Sequence, residues 1–302
     1  MNGILNVYKE AGYTSFDVVA KLRGILREKK IGHTGTLDPA ATGVLPVCVG
    51  NATKVCALLT DKDKEYEAVL QLGITTDTQD ATGQILKDRS DLLHTLTKQR
   101  VEEVIMSFVG AYEQIPPMYS ALKIGGRKLC DLAREGIEVE RKARPVHIYG
   151  IEIRELSLPF VTMRVHCSKG TYIRTLCDDI GEQLGVGGLM KSLVRTRVSS
   201  FSLGEALTLA QIEEYRDNGR LDEILLPVDV VFQEYPALTV TAEARKLLQN
   251  GNRLLASDLT GALDISVFGS DARFRIYDGE RFYAIYRWDA VRQDLKCIKM
   301  FM

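Results

Sequence analysis

The 302-residue sequence predicts an α+β fold, a mixed, largely antiparallel sheet with flanking helices followed by a small mainly-β domain. Three observations carry this. Two segments alternate apolar and polar residues with the period of a half-buried strand. Strands and helices alternate irregularly, often through connections too short for the crossovers parallel strands need. The tail contains Asp278-Gly279 between aromatic-rich runs, a hairpin signal. A boundary near "QEYPALTVT" divides residues 1–235 from 236–302.

In order, residues 2–8 read as a strand. Ser15 is placed to cap a helix carrying Val18, Leu22, Ile25 and Leu26 on one face. The strand "GVLPVCVG" follows the loop around Asp38, and Asn51 is placed to cap "ATKVCALL". In "EYEAVLQLG", Tyr66, Ala68, Leu70 and Leu72 share a face. Thr97 precedes a helical stripe of Val101, Val104, Ile105 and Phe108. In "FVTMRVHCS", Val161, Met163, Val165 and Cys167 face one way, and Thr162, Arg164 and His166 the other. Thr171 opens a helix with Ile173, Leu176, Ile180 and Leu184 buried, closed by Gly185. Thr208 and Gln211 fit a capping box. Past the boundary come a helix from Thr241 to Asn250, stopped by Gly251, and three strand-like runs.

Composition excludes several classes. The start lacks a basic segment followed by a long apolar one, so no signal peptide is expected. No apolar run approaches the roughly 20 residues of a membrane helix. Cys48, Cys56, Cys130, Cys167, Cys177 and Cys297 show no C-x-x-C spacing. Neither a zinc site nor a disulfide framework is expected, which fits a reducing, cytoplasmic setting. The net charge of −1 does not advertise nucleic-acid binding, so that reading rests on local clusters. Residues 118–145 hold seven Lys/Arg against four Asp/Glu, and 161–197 six against three. Phosphate neutralisation is local, so two such excesses make an RNA groove feasible, although charge-rich loops are usually solvated surface.

The candidate chemistry centres on "GHTGTLDPAATGVLPV". Asp38 precedes a proline, which favours extended backbone, and nearby glycines permit close approach of a ligand. An Asx turn or a helix cap would use the same residue, and a phosphate cradle is a third reading, weakened by the missing P-loop pattern. His33 is a candidate base, metal ligand or shape element; no partner His or Cys stands at ligand spacing. In "CSKGTYIRTLCDDIG", Arg174 lies about 100° round the helix from Ile173. A cation in the first turn opposes the macrodipole, so an anion, carboxylate or phosphate, is expected beside it. Tyr172 sits in the same turn, and Tyr66 near a strand start, taken alone, reads as core before it reads as site.

Together, "GHTGTLDPAATGVLPVCVGNATK", "KEYEAVLQLGITTDTQDATG", "IPPMYSALKIGGRKLCDLAREG" and "CSKGTYIRTLCDDIG" resemble the TruB family of tRNA pseudouridine synthases, in the family's motif order. The similarity runs from about Gly3 to Phe201, and the tail more loosely resembles the family's PUA-type RNA-binding module. Three positions depart from the pattern. Cys130 stands where an aromatic is common, Val194 where Arg is frequent, and Ser199 where Gly is usual.

The resemblance implies isomerisation of uridine-55 in the tRNA T loop to pseudouridine. The C1′–N1 bond breaks, the base rotates, and C5 bonds to C1′. No atoms are lost and no redox change occurs, so neither cofactor nor metal is expected. Positive charge develops on the sugar, which one carboxylate can stabilise or trap. By family position that carboxylate is Asp38, paired with Arg174 in a dry pocket; attack on C1′ and removal of the C2′ proton both remain open to it. Tyr66 would stack on the flipped uracil and can help remove the C5 proton, while Tyr172 and Leu193 line the pocket. His33 would fill the space the flipped uridine leaves. Residues 118–145 would form a mobile thumb contacting RNA through Lys123, Arg127, Lys128, Arg141, Lys142 and Arg144. The implied partner is tRNA, and nothing demands more than a monomer. The competing readings are an RNA-folding protein without turnover, a glycosidase, and a guide-directed enzyme acting on ribosomal RNA.

Overall fold

The computed structural model describes residues 1–261, 267–269 and 271–301. Strand β1 (Gly3–Lys9) leads into α1 (Ser15–Leu26), which buries Val18, Val19, Leu22 and Leu26. Thr14, not Ser15, caps α1, in a reciprocal box with Asp17. The reason is burial: Ser15 turns inward, where its Oγ accepts from the Leu37 amide at 2.9 Å. Strand β2 (Ile31–His33) and β3 (Thr42–Val49) bracket the Asp38 loop. A 3₁₀ turn (Gly50–Val55) and α2 (Cys56–Thr60) follow, and Asn51 lies inside the turn. The residue before that turn is Val49, which makes no side-chain cap; the Asn51 amide instead donates to Asn2.

Strand β4 (Lys64–Leu72) shows the expected alternation, with Tyr66, Ala68, Leu70 and Leu72 buried. The turn-rich segment after it contains a small hairpin, β5 (Ile74–Thr76) and β6 (Ile85–Asp88). Thr97 caps α3 (Lys98–Ser107), which leads to β7 (Gly110–Gln114). The basic segment forms a hairpin, β8 (Lys123–Ile124) with β9 (Arg127–Lys128), and α4 (Leu129–Arg134). Strands β10 (Arg144–Ser157) and β11 (Phe160–Cys167) form an antiparallel pair, and β11 buries Val161, Met163, Val165 and Cys167 as expected. Helix α5 (Ile173–Gln183) begins two residues after Thr171, with Tyr172 at the N-cap and no side-chain cap. Thr171 is engaged elsewhere, its hydroxyl donating to the Ser168 carbonyl.

Strand β12 (Gly188–Val198) and the short β13 (Phe201–Ser202) complete the main sheet, ordered β1-β3-β12-β4-β11-β10-β7, with β2 on β3 and β13 on β12. Every pair is antiparallel except β12 with β3. At that parallel contact Gly43, at φ +109, faces Arg195, and a Cβ there would lie 2.2 Å from the Arg195 carbonyl oxygen. Gly43→Ala is therefore expected to cost about 2–4 kcal/mol. Urea unfolding would show it, and an unchanged midpoint would refute the account. Ser199, which stands where the family usually has glycine, sits at φ +52, a region where glycine carries no Cβ penalty.

Helices α3 and α5 pack on β4, β11 and β12 around Leu70, Met163, Leu176 and Ile180. Helix α1 packs on β1 and β3 beside α6 (Leu209–Asp217), whose Thr208–Gln211 capping box forms as expected. From Ala237 onward a second sheet runs β14 (Ala237–Thr239), β15 (Arg273–Asp278), β16 (Arg281–Asp289) and β17 (Asp294–Met300) in sequence order. The expected hairpin joins β15 to β16. Helix α7 is only Arg245–Gln249, because 242–244 form a turn. Ile285 of β16 and Phe301, just past β17, join Phe232, Val198 and Ile4 in one apolar cluster. Among the described residues no helix is long and apolar enough to cross a membrane.

Candidate active site

Asp38 lies in a loop whose backbone is held at several points. The Gly12 amide donates to the Pro39 carbonyl at 2.9 Å, and the Ala41 amide to the Asp38 carbonyl at 3.1 Å. Lys9, fully buried at the end of β1, donates to the carbonyls of Ala41 (2.6 Å) and Pro39 (3.2 Å). Burial pushes its amine down to about 8, against the nearby Asp38 charge. A mobile side chain could not hold a catalytic geometry; this one is fixed at its root.

Arg174, at the first turn of α5, meets Asp38 in a two-pronged pair: Nε lies 2.9 Å from Oδ2, and Nη2 donates to Oδ1 at 3.1 Å. The planar guanidinium fork suits this geometry, and charge assistance strengthens both bonds. Its other hydrogens reach backbone carbonyls, Nη2 to Tyr119 (2.8 Å) and Nη1 to Thr78 (3.1 Å). A second carboxylate, Asp80, lies 3.7 Å from Nη1. Asp80 is fixed by the Thr78 hydroxyl (2.8 Å), the Thr82 amide (2.9 Å) and the Thr82 hydroxyl (2.6 Å). The anion expected beside Arg174 is thus two aspartates.

The side chain of Arg174 is 6% exposed and that of Asp38 35%, so the carboxylate is the accessible end of the pair. The expected dry environment holds for the guanidinium, while the carboxylate remains open to a ligand. Burial raises the Asp38 carboxyl above the usual aspartate range; Arg174 pulls it down and Asp80 pushes it up.

Around this pair the structure gathers the aromatic part of the sequence-derived site. Tyr66 and Tyr172 both lie within electrostatic reach of Asp38. Burial pushes the Tyr66 phenol up to about 12 and raises that of Tyr172. The Tyr172 backbone is clamped by Gln114, which accepts from its amide (2.7 Å) and donates to its carbonyl (3.0 Å). Leu193, on β12, joins Tyr66 and Leu37 in the core. His33 ends β2, and its Nδ1 accepts from the Gly35 amide at 3.3 Å; burial, then the Arg195 charge, lowers its pKa.

The six basic candidates lie apart, on the hairpin and the chain after α4. Lys123, Lys128, Lys142 and Arg144 are exposed. Arg127 pairs with Glu135, and Arg141 bonds the Pro116 carbonyl (3.1 Å) beside Glu138. The same segment reaches the site through Tyr119. A cavity of about 520 Å³ lies between this segment and the 75–87 region, bordered by Gln79, Tyr119, Arg141 and Asp178; Asp38 is not among its walls.

Sequence reasoning missed Asp80, Tyr119, Lys9 and Arg195. The acidic run "TTDTQD" was a signal for Asp80, but nothing local marks a backbone carbonyl as a ligand of Arg174. No group of three or more His, Cys, Asp or Glu among the described residues is arranged to hold a metal ion. One ionised carboxylate, a fixed guanidinium and two aromatic rings can stabilise or trap a cationic sugar centre and hold a flat base.

Comparison with known proteins places the chain among its relatives. A relative described as tRNA pseudouridine synthase B from Lachnoclostridium phytofermentans is 54% identical, with all of both chains covered. One of the same description from Clostridium kluyveri is 44% identical over 94% of this chain and 95% of its own. The crystal structure of a Cbf5-Nop10-Gar1 complex contains a chain with the same fold, at a TM-score of 0.73 and 26% identity, covering 99% of this chain and 85% of that one. A family model for the TruB family pseudouridylate synthase N-terminal domain matches residues 23–173, and one for the tRNA pseudouridylate synthase B C-terminal domain matches 174–233. With those two matches meeting at Arg174 and its carboxylate partner in place, the chain belongs to the TruB family of pseudouridylate synthases.

Proposed function

We infer that this chain isomerises uridine to pseudouridine in tRNA, at the T-loop uridine conventionally numbered 55. The observation that carries the reading is the two-pronged Asp38–Arg174 pair, with its carboxylate accessible and its guanidinium buried. Asp38 is the group that acts on the sugar, at C1′ or at the C2′ proton. Arg174 orients it and favours its ionised form. Tyr66 stacks on the flipped uracil, an interaction worth roughly 1–3 kcal/mol. Tyr172 and Leu193 line the base pocket, and His33 occupies the space the uridine leaves in the loop. The test is tritium release from an unmodified tRNA transcript labelled at uracil C5, since that hydrogen leaves when C5 bonds to the sugar. Label retained on the RNA would reject the enzyme, and free uracil among the products would identify a glycosidase.

In this reading residues 1–235 are the catalytic domain and 236–302 a PUA-like module that grips the acceptor-stem side of tRNA. The enzyme works in the cytoplasm as a monomer. Residues 118–145 form the thumb that orders on RNA. Neutralising Arg141, Lys142 and Arg144 together is expected to weaken tRNA binding and reduce its log–log salt slope by about 2. Arg141 contributes least, because it already has protein partners. Binding titrations across a salt series would show this, and an unchanged slope would remove the segment from the RNA interface. The structural likeness to a chain of the Cbf5-Nop10-Gar1 complex motivates one second reading, guide-directed modification of another RNA. Mapping pseudouridines in RNA from a knockout strain separates the two.

A further inference from the structure

Arg195 is among the largest fully buried side chains, 1% exposed, and no carboxylate lies within 4.0 Å of it among the described residues. A guanidinium stays ionised, and a buried ion without a counter-charge is costly, a cost that falls when a neighbouring group turns negative. Nε donates to the Val44 carbonyl at 2.7 Å and Nη2 to the Gly35 carbonyl at 3.3 Å. The Tyr66 hydroxyl lies within electrostatic reach of the same guanidinium. The sheet dictates this meeting: Arg195 on β12 stands directly opposite Tyr66 on β4, so both side chains leave the same face. The other charged or titratable groups close enough to matter are Lys9, Lys64 and His33, which add no negative charge, and Cys167 and Asp38 on the Tyr66 side.

We propose that Arg195 is a positioning residue for the proton exchange that completes the isomerisation, holding the Tyr66 oxygen in place and stabilising it as a transient phenolate. The proposal rests on the reading of Tyr66 as the residue stacked on uracil. Proton balance states the need. Once C5 has bonded to C1′, the ring still carries the C5 hydrogen, while N1 has lost its bond to carbon and lacks a hydrogen. Tyr66 gives its hydroxyl proton to N1 and, as phenolate, takes the proton from C5; the C–H electron pair returns to the ring and the phenol is restored. No other reactant is required. N1 and C5 are separated by one ring atom, so one oxygen can serve both. Burial holds the Tyr66 phenol up near 12, and Arg195 is the group that works against that penalty. Its fork keeps two hydrogen bonds to fixed carbonyls, which prevents the charge from following the substrate.

The test compares Arg195→Lys, Tyr66→Phe and the double variant on a T-loop transcript carrying C5-deuterated or ordinary uridine, in single-turnover reactions, with melting measured for each protein. Arg195→Lys is expected to slow turnover roughly 10²-fold and to raise the C5-deuterium isotope effect above the wild-type value. In the Tyr66→Phe background the same change is expected to do almost nothing further. An isotope effect equal to wild type, an equal loss in both backgrounds, or no loss at all would each overturn the proposal. Should the lysine variant not fold, Arg195→Gln, which keeps donors and loses the charge, carries the test: slowed turnover with a raised isotope effect supports the proposal, and an isotope effect equal to wild type overturns it. Failure of the underlying reading is separately visible: Tyr66→Ala would then keep wild-type turnover, whereas failure of the proposal alone leaves Tyr66→Ala strongly impaired and Arg195→Lys unaffected.

Discussion

Asp38→Asn is expected to abolish turnover while leaving tRNA affinity within a few-fold of the unaltered enzyme. The amide nearly matches the carboxylate in shape and can still accept from Arg174, which also keeps the Thr78 and Tyr119 carbonyls and Asp80. What disappears is the negative charge, and with it the group able to bond to C1′ or take a proton from C2′. Tritium release read beside a binding titration separates the two quantities. Near-normal release would deprive Asp38 of its role, and a collapse of affinity would mean the variant had lost the fold of the loop rather than the chemistry.

Arg174→Lys should have the next largest effect. Lysine keeps the charge but replaces a fork by a single ammonium, so it cannot serve Asp38 and two backbone carbonyls from one plane. A small misplacement of the carboxylate costs roughly 10²-fold in turnover. The pH profile gives a second, signed result. Burial already raises the Asp38 carboxyl, and Arg174 is the strongest influence pulling it down. Weakening that pull raises the carboxyl further. Because the reaction needs the ionised form, the pH below which activity falls moves upward. A profile that stays put, or moves toward acid, would show that Arg174 does not tune Asp38.

Much of this was legible because it is periodic or local. The alternations of β4 and β11 and the Thr208–Gln211 cap depend on neighbours in sequence, and they form as expected. The need for an anion at Arg174 was legible from its place on the helix, since a cation in the first turn requires an explanation. The errors share a cause. Ser15, Asn51 and Thr171 looked like caps by residue type, but each is engaged in tertiary or loop contacts that no window of neighbours reveals. Tyr119 serves Arg174 through its backbone, so its side chain carries no signal. Arg195 counted as one more positive charge in a basic stretch, whereas it is buried within the sheet, opposite Tyr66.

The order of strands in the main sheet also bears on how the nascent chain closes. Strand β12, residues 188–198, is inserted between β3 and β4, both of which are synthesised more than a hundred residues earlier. A nascent chain leaving the ribosome therefore carries the Asp38 loop and Tyr66 long before the strand that must lie between them emerges. Such distant pairing is slow to form, so the sheet that brings Tyr66 beside Leu193 and Arg195 is expected to close only after residue 198 has emerged.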